Sequence, residues 1–148
     1  MYRMRQWSVS HAKSLNLLYQ NLEKLLASTL PKISQRPIEK PITFFEKNIK
    51  GFLFDCKMCG QCVLNQTGMS CPMNCPKELR NGPCGGVRMD GGCEVKPEMP
   101  CVWVEAWRGS KISHADQSIL ALQDPVDHQL EGTSSWLREA KRHHNELR

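Results

Sequence analysis

The cysteines are the residues of this chain whose types and spacing point most directly to chemistry. All eight lie within residues 56–101, and no histidine lies among them. Cys56, Cys59 and Cys62 follow one another at two-residue intervals on one short segment, so their sulfurs can face a single inorganic centre. This spacing, with Cys-Pro steps further along the chain, is typical of iron–sulfur proteins.

All eight cysteines are candidate metal ligands. A [4Fe–4S] cluster takes four thiolates, and the triplet would supply three of them, with Cys71, Cys75 or a later cysteine as the fourth. Eight thiols also fit two clusters, one cluster plus one zinc ion, or one cluster with spare thiols, and spacing alone leaves these open. The candidate ligands are Cys56, Cys59, Cys62, Cys71, Cys75, Cys84, Cys93 and Cys101.

Zinc and disulfide bonds are the two alternatives to iron–sulfur. Structural zinc sites usually combine two Cys-x-x-Cys pairs, whereas this chain has one triplet followed by scattered cysteines; the pattern therefore favours iron–sulfur over zinc. Disulfides suit secreted proteins, but the first residues contain no apolar run of signal-peptide length. No segment is long enough to span a membrane, and we expect a cytoplasmic protein.

The composition of residues 56–101, here called the cysteine block, explains why this segment needs cross-links. It holds seven of the ten glycines and five of the nine prolines, with few large aliphatic residues. Such a segment buries too little apolar area to offset the entropy of ordering its backbone. We therefore expect a small, irregular α+β fold, in which a metal-stapled, cysteine-rich domain of loops, short strands and at most one helical turn (76–80) is flanked by helices.

The flanking segments must hold the cysteine block in place. Leucines at three- and four-residue steps predict an amphipathic helix over residues 11–29, with Ser10 as its N-cap and Pro31 at its end. Its leucine stripe is expected to pack either on another subunit or on the cysteine block. The predicted domains are 1–54 (helix and linker, packing on a partner), 55–107 (cysteine-rich metal domain) and 108–148 (helical extension).

Prolines and aromatic residues mark the segment before the first ligand. Pro31, Pro37 and Pro41 predict an extended linker. Residues 43–46 then have capping-box spacing for a short helix that Gly51 would end. The apolar residues that follow are expected to pack as core; they are Phe44, Phe45, Ile49, Phe52, Leu53 and Phe54.

The C-terminal third is predicted to be mostly helical or extended surface. Trp103 and Trp107 are expected to cover the metal region as hydrophobic lids. A short apolar helix is expected around residues 117–123, and a last helix over 136–147 with Ser134 or Ser135 as its cap.

Charge and missing motifs narrow the class of function. The net charge is +5, and residues 1–54 carry nine basic and three acidic residues. Such a segment more often reflects a solvated face or an acidic partner surface than contact with nucleic acid. No dinucleotide fingerprint, phosphate-binding loop or catalytic triad is present. The chain is therefore expected to be a non-catalytic subunit that either transfers electrons or uses bound metal to stabilise a protein complex.

The ordered cysteine motifs resemble the methylenetetrahydrofolate reductase C-terminal family, in its small-subunit type also known as MetV. The resemblance covers about residues 56–107, and the flanks match only loosely. The motifs are Cys56-x-x-Cys59-Gly-x-Cys62, Cys71-Pro-x-x-Cys75-Pro-Lys, Asn81-Gly-Pro-Cys84-Gly-Gly, Cys93-Glu-Val and Cys101-Val-Trp.

The resemblance implies an accessory subunit that binds iron–sulfur and pairs with a flavin-containing barrel subunit, the large subunit of methylenetetrahydrofolate reductase. Electrons would pass through the cluster to the partner's flavin, and this chain would hold neither flavin nor folate. Whether the metal relays electrons or only stabilises the complex is not decided by the motifs. The alternative is a zinc-stapled structural or regulatory subunit without electron transfer, in which contact with nucleic acid is the less favoured role.

Overall fold

The structure, a computed structural model, describes residues 2–29, 36–114 and 117–146. Its α-helices in these ranges are α1 (Tyr2–Ser10), α2 (Ala12–Thr29), α3 (Arg36–Phe54), α4 (Val102–Ser113) and α5 (Ser135–Glu146). Short 3-10 helices span Pro72–Asn74, Ser118–Leu120 and His128–Leu130.

The predicted α+β fold is wrong, because the described ranges contain helices and no β-strand. Extended pairing is limited to two isolated bridges, Val87 with Cys93 and Gly92 with Pro100. A longer ladder does not form here because proline has no N–H to donate and glycine weakens a strand. The cysteine block is therefore loop and turn, and its one helical turn lies at Pro72–Asn74.

Helix α2 confirms the amphipathic helix predicted over residues 11–29. Its inward leucines pack against the central buried cluster, which includes Leu64, Met69 and Cys71 of the cysteine block and Trp136 of α5. Part of the stripe is therefore used within this chain, whereas Leu18 and Leu25 are exposed. Ser10 is not its cap: it is the last residue of α1, and its hydroxyl donates to the carbonyl of Gln6 at 2.9 Å. The inward leucines are Leu15, Leu22 and Leu26.

Helix α3 replaces the extended linker expected around the prolines. Pro37 lies in its first turn, where a backbone N–H has no helical partner in any case, and Pro41 is tolerated inside the helix. Thr43 does not cap a new helix, since its hydroxyl donates to the carbonyl of Glu39 at 2.7 Å. The helix continues through Gly51. Pro31 lies outside the described residues.

The apolar residues of α3 are only partly core, contrary to expectation. Phe54 is buried and Leu53 packs against the core as predicted. By contrast Phe44, Phe45 and Phe52 are 66%, 62% and 68% exposed, and Ile49 is 47% exposed. Together these four form an outward surface that we call the aromatic face.

The helices pack around a central core cluster, and two smaller clusters of buried residues accompany it. Helix α1 contacts α3 and α4, α2 contacts α4 and α5, and α3 contacts α5. None of the described helices has the length and apolar character needed to cross a membrane. The buried residues of the central cluster are Ala12, Tyr19, Phe54, Leu64, Met69, Cys71 and Trp136.

A close backbone contact seats the cysteine block on α4. Gly68 has a φ of +54°, and a Cβ at this position would lie 2.1 Å from the backbone nitrogen of Ser110. The hydroxyl of Ser70 donates to the carbonyl of Val102 at 3.0 Å nearby. Glycine at position 68 is therefore required by both its backbone angle and its neighbour.

The C-terminal elements largely follow the sequence prediction. The 3-10 helix Ser118–Leu120 stands where the short apolar helix was expected, and the Ser134 hydroxyl accepts from the amide of Leu137 at 3.2 Å, which caps α5. Trp103 is buried against Cys101. Trp107 is half exposed and lies 4.6 Å from the Lys111 ammonium, so it is not a lid.

Candidate metal centre

Four of the eight cysteines line one cavity. Cys56, Cys59 and Cys62 lie on the loop directly after α3, and Cys71 lies just before the 3-10 helix Pro72–Asn74. The cavity between them has a volume of about 20 Å³, enough for about one water molecule. Cys71 is thus the fourth cysteine at this cavity, and spacing alone had left the fourth thiol open among Cys71, Cys75 and the later cysteines.

Left-handed backbone conformations fold the ligand loop tightly. Asp55, Met58 and Gly60 have φ angles of 52°, 51° and 74°. This winding brings the Met58 amide within 3.4 Å of the Cys56 sulfur. A Cβ on Gly60 would lie 2.5 Å from the carbonyl oxygen of Leu130. Amide groups that donate to cysteine sulfur are a feature of iron–sulfur ligation.

Cys56 and Cys71 form a hydrogen-bonded pair of thiols. The Cys71 thiol donates to Cys56, and this bond is the main reason that the pKa of Cys56 is lowered to about 7. The same bond, together with burial, raises the pKa of Cys71 well above its ordinary value. Cys56 is thus ready to act as a thiolate near neutral pH.

Cys62 accepts a hydrogen bond from a tyrosine that the sequence did not indicate. The hydroxyl of Tyr19 on α2 donates to the Cys62 sulfur at 3.1 Å. Burial and the negative charge on Cys62 raise the pKa of Tyr19, so this hydroxyl keeps its proton. Tyr19 reads as an ordinary apolar position of an amphipathic helix, and no sequence signal marked it.

Arg80 faces Cys59 across the cavity. One terminal nitrogen of its guanidinium lies 3.9 Å from the Cys59 sulfur, and the other donates to the carbonyl of Gln61 at 3.3 Å. Its Nε is buried and has no hydrogen-bond partner within the part of the chain that the structure describes. The cavity wall therefore carries a buried cation with one unused donor.

A second buried cation lies behind the ligand loop. The ammonium of Lys50 is 2.7 Å from Glu46 Oε1 and 2.8 Å from the Ser135 hydroxyl, and both charged side chains are 1% exposed. Ser134 donates to the other carboxylate oxygen. Burial lowers the pKa of Lys50, but the charges on Cys62 and Glu46 outweigh burial and raise it above the ordinary value.

The chemical types of the donors at the cavity fit a thiolate-bound anionic cluster. The four cysteine sulfurs do not converge on one common centre. Within residues 2–29, 36–114 and 117–146, no three His, Cys, Asp or Glu side chains are close enough together to hold a metal ion. The cavity nevertheless combines four soft sulfur donors with the buried guanidinium of Arg80 and its unused Nε, and the buried carboxylate of Glu46 also borders it. Buried cations and free donors are what a negatively charged iron–sulfur cluster needs around it.

The other four predicted ligands do not line this cavity. Cys101 is buried beside Trp103, and Cys93 forms the bridge with Val87. Cys84 and Cys93 are both within electrostatic reach of Lys77. All eight cysteines are free thiols, so the structure contains no disulfide bond. The remaining ligands are Cys75, Cys84, Cys93 and Cys101.

Comparison with known proteins now places the chain in a family. A sequence model of the family described as "Methylene-tetrahydrofolate reductase C terminal" matches residues 36–129. The chain belongs to this family. The match covers more than half of the chain and all eight cysteines, so it extends well beyond the motifs that carried the resemblance. No curated protein and no solved structure matches the chain.

Proposed function

We propose that this chain is a MetV-type iron–sulfur accessory subunit that transfers electrons to a flavin-dependent methylenetetrahydrofolate reductase. One observation carries the proposal: Cys56, Cys59, Cys62 and Cys71 line one cavity within a member of this family. The chain itself is then a non-catalytic subunit, and flavin and folate belong to the partner.

The four cavity cysteines would hold a [4Fe–4S] cluster, which would accept and release single electrons. Arg80 would balance part of the negative charge of the cluster and its thiolates, since this cation is buried at the cavity. Lys50 already has Glu46 as its counter-charge. The Met58 amide, close to the Cys56 sulfur, would donate toward it. Eight free thiols persist in a reducing compartment, and we propose a cytoplasmic location on this ground.

The aromatic face is the surface proposed to contact the large subunit. Apolar side chains that are this exposed on one side of a helix are typical of protein interfaces. Lys40 and Lys47 on the same helix are exposed, so the fitting partner surface is apolar with an acidic rim.

The position of this face also suits electron transfer. Glu46 and Lys50 are buried on the opposite side of α3, next to the cavity. A helix with its side chains is about 10–12 Å across, and a partner bound to the aromatic face would therefore sit about one helix width from the cluster.

Metal analysis of the protein purified without oxygen tests this function. We expect iron and acid-labile sulfide in equal amounts, a brown colour, and co-purification with the flavin-containing large subunit when the two are expressed together. A colourless protein that contains zinc instead would refute electron transfer and support the structural alternative. Iron without binding of the flavoprotein would refute the proposed partner.

A further inference from the structure

Tyr19 is the polar side chain that α2 contributes to the candidate centre. It is 7% exposed, and its ring lies 5.0 Å from the ammonium of Lys50 and 6.5 Å from the ring of Trp136. Tyr19 and Trp136 both lie outside the segment 36–129 that matches the family. The two flanking helices, α2 and α5, thus enclose a site whose cysteines all belong to that segment.

The geometry of Tyr19 defines it as a donor to sulfur. Its hydroxyl donates to the Cys62 sulfur at 3.1 Å, and a tyrosine hydroxyl ordinarily carries its proton at neutral pH. The Lys50 cation over the ring draws electron density from the phenol and strengthens this hydroxyl as a donor.

We infer that Tyr19 is a positioning residue that raises the reduction potential of the cluster by donating a hydrogen bond to its ligand Cys62. The inference rests on the proposed function. Reduction adds one electron, and part of its charge falls on the cysteine sulfurs. A donor at sulfur therefore stabilises the reduced cluster more than the oxidised one. No proton moves in this step: the hydroxyl proton stays on the Tyr19 oxygen.

The test compares the full-length Tyr19→Phe variant with the wild type, both loaded with iron and sulfide without oxygen. Phenylalanine keeps the buried ring and removes only the hydroxyl. We expect unchanged iron and sulfide per chain and a more negative midpoint potential in a redox titration followed by electron paramagnetic resonance. The ratio of reduced to oxidised cluster at a fixed potential should fall about tenfold, a shift of about 59 mV for one electron.

Tyr2→Phe is the matched control, because it removes the chain's other tyrosine hydroxyl. The Tyr2 ring lies 5.5 Å from the Arg5 guanidinium, and its variant should keep the wild-type potential. An unchanged potential in Tyr19→Phe would overturn the inference. Loss of the cluster from that variant would overturn it too, because Tyr19 would then be needed for assembly. A wild-type protein without iron would instead contradict the proposed function itself.

Discussion

Lys50 and Glu46 form an ion pair at 2.7 Å that is almost completely closed to solvent. The pair joins α3 to the start of α5, where Glu46 also accepts from the hydroxyls of Ser134 and Ser135. Buried charges are tolerated only when they are paired and hydrogen-bonded. This relationship links the helix before the ligand loop to the last helix of the chain.

Breaking this pair should strongly destabilise the protein. Glu46→Gln leaves the Lys50 ammonium buried without its counter-charge, at a cost of about 3–5 kcal/mol in the free energy of unfolding. The double variant Glu46→Gln with Lys50→Met removes both charges and should recover part of that loss. Urea unfolding of the three proteins measures the difference. Equal stability of the single variant and the wild type would show that the pair is not buried in solution.

Replacing a cavity cysteine should remove the metal and loosen the cysteine block. Cys59→Ser deletes one of the four thiols at the cavity, and since metal binding is coupled to folding, the middle of the chain should lose stability as well. Iron analysis and thermal unfolding check both effects. Cys84→Ser is the control, because Cys84 does not line this cavity, and that variant should keep a cluster. Full iron content and normal melting in Cys59→Ser would make the ligand assignment wrong.

A charge on the aromatic face should weaken binding of the large subunit. Phe45 is 62% exposed and lies near its centre. Phe45→Glu would place a carboxylate against an apolar surface with an acidic rim, and we expect at least a tenfold loss of affinity, or about 1.4 kcal/mol. Calorimetric titration of the purified subunits measures the dissociation constant of the complex. Met89→Glu is a control at a fully exposed residue of the cysteine block, and an equal loss there would argue against this face.

The reactivity of Cys56 in the metal-free protein should depend on pH near neutrality. Its pKa is lowered to about 7 by the hydrogen bond from Cys71, and the thiolate is the reactive form. Alkylation at Cys56 should therefore rise through about pH 7, whereas an unfolded cysteine reacts with a midpoint of about 8.5. Mass spectrometry of the labelled peptide follows the reaction. Cys71→Ala removes the donor and should move the midpoint upward; an unmoved midpoint would contradict this pairing.

Gly68→Ala should destabilise the contact between the cysteine block and α4. The added Cβ would meet the Ser110 nitrogen at 2.1 Å, at a residue whose φ is +54°, and we expect a loss of about 2 kcal/mol or more in thermal unfolding. Gly85→Ala provides the comparison, because a Cβ there would meet no atom within 4 Å. Similar melting temperatures for the two variants would mean that the backbone adapts at Gly68.

Several features of this protein were available from the sequence because they are local. The leucine steps of residues 11–29 predicted α2, and the serines before Trp136 predicted the cap of α5. The cysteine motifs identified the family, since they depend on residue types in order along the chain. Periodicity, capping and motif order all arise within a few residues, and no tertiary contact is needed to see them.

Tertiary structure alone decided the fold class, the course of α3 and the composition of the cavity. Local rules for Pro37 and Pro41 predicted a linker, but a continuous helix α3 buries Phe54 and packs Leu53 and Ile42 against the core, and those rules take no account of this packing. Cys71 and Tyr19 join the triplet only because distant segments meet in space. Contacts of this kind depend on packing between elements. They cannot be inferred from residue types or from the spacing of residues along the chain.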